Sequence, residues 1–411
     1  MEGQWQQRGD GEDNGDDSIN VEMNTVPSSS GEARARTKDG AQPTRNLASS
    51  LGAFVAGVIF CLCAGVVWSH AIAVQSSCQA TAASHDDVIR PAVIVVTAMT
   101  SEMERWVERL PLGETLPFPG GHEPSLPPLR WNASLRVLGL VTGMGLRAAA
   151  ASPTALGLDP RVDTRDAHWV LAGIAGIDPL RGSAGSAFWA RRLVHGDGRG
   201  YEFDPREPAV AARGWRTGFV PHHRSAPWAD PPPTRGEAKA ETMLYELDPR
   251  LVAWASTRSA AEAELQDSDA LRAARASYDA QATPAAREPP TITLGDSQTS
   301  NWFWAGDMLT EWARNWTAYY SAGEAVFATT QMEDTAVAAA IGGLARAGRA
   351  NASRLLVLRT ASDYSAPPPG VDLIEWFFDD ARHMLFTEAL EAAYVAGAPV
   401  VKALARGEYP W

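Results

Sequence analysis

Ala92-Val93-Ile94-Val95-Val96-Thr97-Ala98 is the stretch that decides the fold class. It is short, apolar almost throughout and rich in β-branched residues, so it reads as a strand covered on both faces. Met99-Thr100-Ser101-Glu102 follows directly, and a helical stretch continues through Leu110. Downstream the alternation repeats. Residues 135–141 read as a strand, and an Ala-rich helix starts at Leu146. Residues 168–172, 187–194, 291–294, 325–329 and 354–358 read as further strands, and 336–347 and 372–396 as helices. The pattern predicts an α/β fold, a mostly parallel twisted sheet flanked by helices.

Two segments interrupt this alternation, giving expected insertions at about 197–245 and 260–290. The first holds a Pro- and Arg-rich surface stretch at 205–236. The second is Ala-rich and charged, with a helix that stops before Pro289-Pro290. The α/β domain is expected to span 91–411. Hydrophobic residues make up 45% of the 411-residue chain, enough for a real core.

Before the domain, residues 1–50 are polar and rich in Gly, Ser and Asp, the composition of a disordered tail. The run 51–74 carries no charge. As a helix it would reach ~36 Å, enough to cross a ~30 Å hydrocarbon core. Arg34, Arg36, Lys38 and Arg45 precede it, so the tail is expected to be cytosolic and the rest exported, with 75–90 as linker. A cleaved signal peptide ending near Ala71-Ile72-Ala73 is the alternative, against which the tail is long. Either reading places the main domain outside the cytosol, membrane-anchored or secreted. Three N-x-S/T sequons, at Asn132, Asn315 and Asn351, lie downstream of the run.

The formal net charge of −13 argues against a nucleic-acid partner, whose phosphates recruit Lys and Arg. Of three Cys, Cys61 and Cys63 lie in the apolar run and Cys78 just after it, so the domain has neither a disulfide framework nor a Cys-based metal site. His195-Gly196-Asp197 and His222-His223 invite a metal reading, but adjacent His in a Pro-rich loop suit solvent, and neither a metal nor a cofactor is expected. The 15 Trp suit a flat ligand as well as a core.

Ligands in open α/β sheets sit beyond the carboxyl ends of strands. Five segments carry polar or Gly residues there. Glu102 opens a helix, either as a charge favoured by the helix dipole or as a general base for water. Thr142-Gly143-Met144-Gly145 offers close backbone approach and free N–H groups, and would equally serve as a tight turn. Gly173-Ile174-Ala175-Gly176 permits close packing or close ligand approach. Gly295-Asp296-Ser297 leads to Asn301-Trp302-Phe303-Trp304, whose rings could stack on a purine or fill a core. The fifth is a pair, Gln331-Met332-Glu333-Asp334 and Arg359-Thr360-Ala361-Ser362-Asp363.

In this order the segments resemble the nucleoside phosphorylase superfamily, above all the methylthioadenosine/S-adenosylhomocysteine nucleosidases. Ala98-Met99 and Glu102 match an A-M-x-x-E segment. Thr142 to Gly145 stand where that family has S-G-I-G, and Gly173 to Gly176 loosely match G-S-A-G-G. Gly295-Asp296 matches a G-D that precedes base-stacking residues. Met332-Glu333 matches E-M-E, with Gln331 replacing the first carboxylate, and Arg359, Ser362 and Asp363 match R-x-x-S-D. Overall the chain is also similar to the fungal purine nucleoside permease family. One span cannot form a conduction path, so that resemblance implies a binder or cleaver of purine nucleosides that assists uptake.

The resemblance implies roles. Asp363 is the general acid toward purine N7, positioned by Ser362, and Glu102 activates water. Glu333 accepts ribose hydroxyls, Met332 packs on the sugar, and Trp302 or Phe303 stacks on the base. Thr142, Gly143, Gly145 and Asp296 complete the expected binding set. The G-D-P-x-R-like segment of the phosphorylases is missing, which favours hydrolysis. Phosphorolysis, binding without turnover as part of nucleoside transport, and an exported interaction protein that keeps only the fold are the alternatives. Relatives of this fold are often oligomers, so the resemblance also allows a homo-oligomer.

Overall fold

The computed structural model describes residues 88–121, 125–222, 224–227, 242–378 and 385–409. The expected tail at 1–50, the span at 51–74 and nearly all of the 75–90 linker lie outside them. Among the described residues, no helix is long and apolar enough to cross a membrane.

The deciding stretch forms β1 (Val93–Thr97), buried at every position. It runs into α1 (Thr100–Arg109), whose buried side is Glu102, Met103 and Trp106. A short excursion through β2 (Glu114–Leu116) and β3 (Leu129–Asn132) leads to β4 (Val137–Val141) and α2 (Gly145–Leu158). Then come β5 (His168–Ile177), β6 (Ala187–His195), β7 (Gly200–Glu202), α3 (Pro208–Ala211), β8 (Phe219–Pro221) and β9 (Leu244–Glu246). Helices α4 (Pro249–Glu262), α5 (Asp269–Ala276) and α6 (Pro284–Arg287) precede β10 (Ile292–Thr299) and α7 (Asp307–Tyr320). The chain closes with β11 (Phe327–Gln331), α8 (Asp334–Arg346), β12 (Leu355–Tyr364), α9 (Leu373–Phe377) and α10 (Phe386–Ala405).

The fold is α/β, but the sheet is mixed rather than mostly parallel. Strands β5, β12, β6, β10 and β11 form a closed ring. Within it β12 pairs parallel to β5, and β10 parallel to β6 and β11. The ring closes through two antiparallel joins, β12 on β6 and β11 on β5. Outside it β1 and β4 extend the sheet in parallel from β5, and β3 and β2 continue antiparallel. Strand–helix alternation foretells crossovers, but these antiparallel joins come from long-range closure.

Three strands run past their expected ends. β5 continues through Ile177, β10 through Thr299 and β12 through Tyr364. The sequence turns polar or Gly-rich at each of those points, which reads as a strand end. In a closed ring the backbone still finds partners on both sides, so pairing continues. The single helix expected at 372–396 is two, α9 and α10. The Leu385 N–H at the head of α10 bonds to Ser362 O on β12 at 2.7 Å. That contact docks the helix onto the strand that carries Asp363.

The two expected insertions are built differently. Leu271, Ala274, Tyr278 and Ala286 of the second pack with Ile177, Phe188 and Tyr364 in a satellite core. In the first, β7 and β8 form an antiparallel hairpin.

Candidate active site

Glu102 stands in the first turn of α1, buried beside β5. Its Oε2 accepts the N–H groups of Ala98 (2.8 Å) and Met99 (3.0 Å), and its Oε1 accepts that of Ile174 (2.9 Å). Burial pushes this carboxyl above its ordinary range, and the Arg359 guanidinium pulls the other way. The close approach requires Gly173. A Cβ there would lie 2.6 Å from Arg359 Nη1 and 2.7 Å from Glu102 Oε1.

Arg359 on β12 is buried and fully engaged. Its Nη1 donates to Ile174 O (3.0 Å) and its Nη2 to Glu333 Oε2 (3.1 Å), while Nε and Nη2 both reach Asp334 Oδ1. Glu333 also accepts the Gly145 N–H at 3.0 Å, which ties the head of α2 to this network. Gly143 and Gly145 hold positive φ values of 85° and 82°, which glycine adopts without strain. Thr142 is buried and spends its hydroxyl on Gly143 O (2.7 Å). Met332 is half-buried, its terminal methyl beside Gly145.

Gln331, standing where the resembled family has a carboxylate, works as a scaffold. Its Nε2 donates to Ser297 Oγ and Thr299 Oγ1, both at 3.0 Å, and its Oε1 accepts the N–H groups of Glu333 and Asp334. The amide thereby fixes the turn that presents Glu333.

Asp363 lies four residues beyond Arg359 on the same strand. The pairing of β12 with β5 shifts between Ala361 and Asp363, an irregularity that re-aims the side chain. Ser362 donates to Asp363 Oδ1 at 2.7 Å, and the buried Oδ2 has no partner. Burial pushes the carboxyl up to about 7, with the Ser362 hydrogen bond acting in the opposite direction. Burial raises both carboxyls; Arg359 and three N–H donors oppose it at Glu102, whereas one hydroxyl does so at Asp363.

Beside this group lies a cleft of about 730 Å³. Its walls include His195, Tyr201, Trp302, Trp304, Trp312 and Trp316. Leu146 and Asn301 line it too, and the Leu146 N–H donates to Asn301 Oδ1 at 3.2 Å. Through these two residues the cleft borders the head of α2 and so Glu333. Glu102, Glu333 and Asp363 are buried and are not among its lining residues. Asp197 shapes the rim, accepting the Ser300 hydroxyl at 2.7 Å and the Asn301 N–H.

The structure thus brings together Glu102, Glu333, Gly145 and, along β12, Ser362 and Asp363. Trp302 is 75% exposed and lines the cleft. Phe303 packs against Phe377 instead, with ring centroids 5.4 Å apart. Asp296 lies apart from the group. It is buried in an ion pair with Arg191 (3.0 Å) and accepts the Val326 N–H (2.8 Å), fastening β10 to its neighbours. Arg359 and Asp334 emerge as structural partners of the site, which sequence order alone does not pair. Tyr201, Trp312 and Trp316 were also missed. The two tryptophans carry two signals, the high Trp content and their four-residue spacing, and Tyr201 carries none. Among the described residues, no cluster of His, Cys, Asp or Glu is placed to hold a metal ion.

The chain is similar to several known proteins. A Candida albicans purine nucleoside permease is 25% identical over 76% of this chain and 75% of its own length. A Schizosaccharomyces pombe protein described as a probable purine nucleoside permease is 27% identical over 76% of this chain and 89% of its own. Among solved structures, the 5'-methylthioadenosine/S-adenosylhomocysteine nucleosidase of Helicobacter pylori is 15% identical, with coverage of 78% of this chain and 99% of that one and a TM-score of 0.43. The model of the purine nucleoside permease (NUP) family matches residues 90–408. The chain belongs to the purine nucleoside permease family.

Proposed function

We propose that the domain binds purine nucleosides and cleaves their N-glycosidic bond by hydrolysis. The observation that carries this reading is Asp363, a buried carboxyl with a free oxygen and a pKa raised to about 7. Such a group holds a proton near neutrality and can give it to N7 of the departing purine as the bond from C1' to N9 breaks. Glu102 takes a proton from the water that attacks C1'. Three N–H groups occupy its oxygens, and a carboxylate offers about four acceptor positions, so one remains for water. Glu333 faces the ribose hydroxyls, and Trp302 offers an aromatic wall. A carboxylate at position 102 would repel phosphate, which favours water as nucleophile. The uncharged run at 51–74 and the basic residues before it support placing this domain on the exported side of a membrane, where it would assist uptake.

The second reading is binding without turnover. It is favoured by the burial of Glu102 and Asp363 outside the cleft lining and by the name the family carries. The deciding experiment incubates purified protein with adenosine, guanosine, inosine and uridine, with and without phosphate. Free purine and ribose in phosphate-free buffer are expected. A strict phosphate requirement would overturn hydrolysis, and unchanged nucleosides despite saturable binding would establish the second reading.

A further inference from the structure

Gln298 is completely buried on β10, yet neither its amide nitrogen nor its amide oxygen has a hydrogen-bond partner. Buried amides are costly to leave unpaired, and a fixed pair of unmet donor and acceptor marks a place for a ligand. Its position supports this. Gln298 is in register with Thr330, and Thr330 with Gly176. Gly176 is in register with Asp363, whose Oδ2 is also unpartnered. Directly paired residues project to one face of a sheet, and although the β12 pairing shifts just before Asp363, its Oδ2 reaches that same face, 2.9 Å from where a Gly176 Cβ would stand.

This row of paired residues is closely packed at its middle. A Cβ on Gly176 would lie 2.9 Å from Asp363 Oδ2 and 3.1 Å from Thr330 Cγ2, so only glycine lets those two groups stand there. At the other end, a Cβ on Gly196 would lie 3.2 Å from Gln298 Nε2, and Gly196 lines the aromatic cleft. The amide therefore lies against Gly196, at the edge of the cleft.

We infer that the Gln298 carboxamide reads the N1 and C6 edge of the purine whose N7 meets Asp363. This rests on the nucleoside-cleaving reading above. A carboxamide offers one donor and one acceptor side by side and can turn over. It donates to O6 and accepts N1–H of a 6-oxopurine, or accepts an N6 hydrogen and donates to N1 of a 6-aminopurine. Gln298 thus selects purines bearing a polar group at C6 and tolerates both kinds.

The test compares inosine and adenosine with purine riboside, which has only hydrogen at C6. The full-length protein and its Gln298→Met variant are assayed for kcat/KM on all three. The wild type should prefer the two substituted nucleosides, and that preference should shrink about tenfold in the variant, the worth of one hydrogen bond. Should Gln298→Met fail to fold, Gln298→Asn, the same amide one methylene short, should reduce the preference in the same direction. An equal fall on all three substrates, or no change, would overturn the inference. If the wild type cleaves none of them, the cleavage reading falls by itself. Calorimetric affinities for hypoxanthine, adenine and unsubstituted purine then decide, and equal affinities in the wild type would overturn the role of Gln298.

Discussion

Arg359 places two donors on a single oxygen of Asp334: Nε at 2.9 Å and Nη2 at 2.7 Å from Oδ1. Both side chains are buried, and Asp334 Oδ2 has no partner. Glu333 and Glu102 crowd the same guanidinium, which they help to hold in its charged form. One cation thus stands against three buried carboxyl groups, and the arrangement survives only while that cation is present.

Replacing Arg359 with Met should therefore cost about 3–5 kcal/mol, the range for breaking a buried ion pair from one side. Arg359→Lys keeps the charge and loses the fork, so it should recover only part. Urea midpoints of the three proteins measure this. A Met variant as stable as the wild type would show that the cluster does not need the Arg359 charge.

Asp363 ties stability and activity to pH. Its folded pKa, about 7, lies above the ordinary aspartate value of 3.8. The folded state therefore holds this proton more tightly than the unfolded chain does. The stability it contributes is complete below the ordinary value and is lost as pH rises through about 7. Asp363→Asn should gain on the wild type between those limits and then hold a constant lead, as read from unfolding curves across pH. Cleavage by the wild type should fall along an alkaline limb near 7, and the variant should lose nearly all turnover. Wild-type turnover in Asp363→Asn would remove it as the acid.

Glu102→Gln keeps the shape and most of the hydrogen bonding but cannot take a proton from water. We expect kcat to fall roughly 10²–10⁴-fold with nucleoside affinity nearly unchanged. Single-turnover assays beside equilibrium binding separate the two. Equal loss of both would make Glu102 a structural cap of α1.

Gly173→Ala should be harmful although the change is one methyl. The new Cβ would press on Arg359 Nη1 and Glu102 Oε1 together. Overpacking of this sort costs about 1–3 kcal/mol. A melting temperature unchanged from wild type would show that the β5 backbone can move aside.

Much of this was legible in the chain. β1 and α1 followed from a continuous apolar run and the periodic stretch after it, because both signals are local. The five colinear segments led to Glu102, Glu333, Ser362 and Asp363, each at or near the carboxyl end of a strand. Other features were not legible. Asp296 sits in a G-D pair that suggested ligand contact, yet Arg191, about a hundred residues earlier, claims its carboxylate. Phe303 and Trp302 are neighbours in sequence, yet one packs on Phe377 and the other faces the cleft. No local pattern records such partners.

The α/β class, the main strands, the carboxylates at their ends and the membership of the purine nucleoside permease family were thus legible in the sequence itself. They depend on residue type and short-range periodicity. Tertiary structure alone decided that the sheet closes into a ring, because β11 meets β5 only after the chain has returned across about 150 residues. Ring closure keeps Gly173, Gln298 and Asp363 in paired strands where the sequence suggested loops. It buries Arg359 among the carboxyls and lifts the Asp363 pKa, since desolvation depends on everything packed around a group and not on its neighbours in the chain.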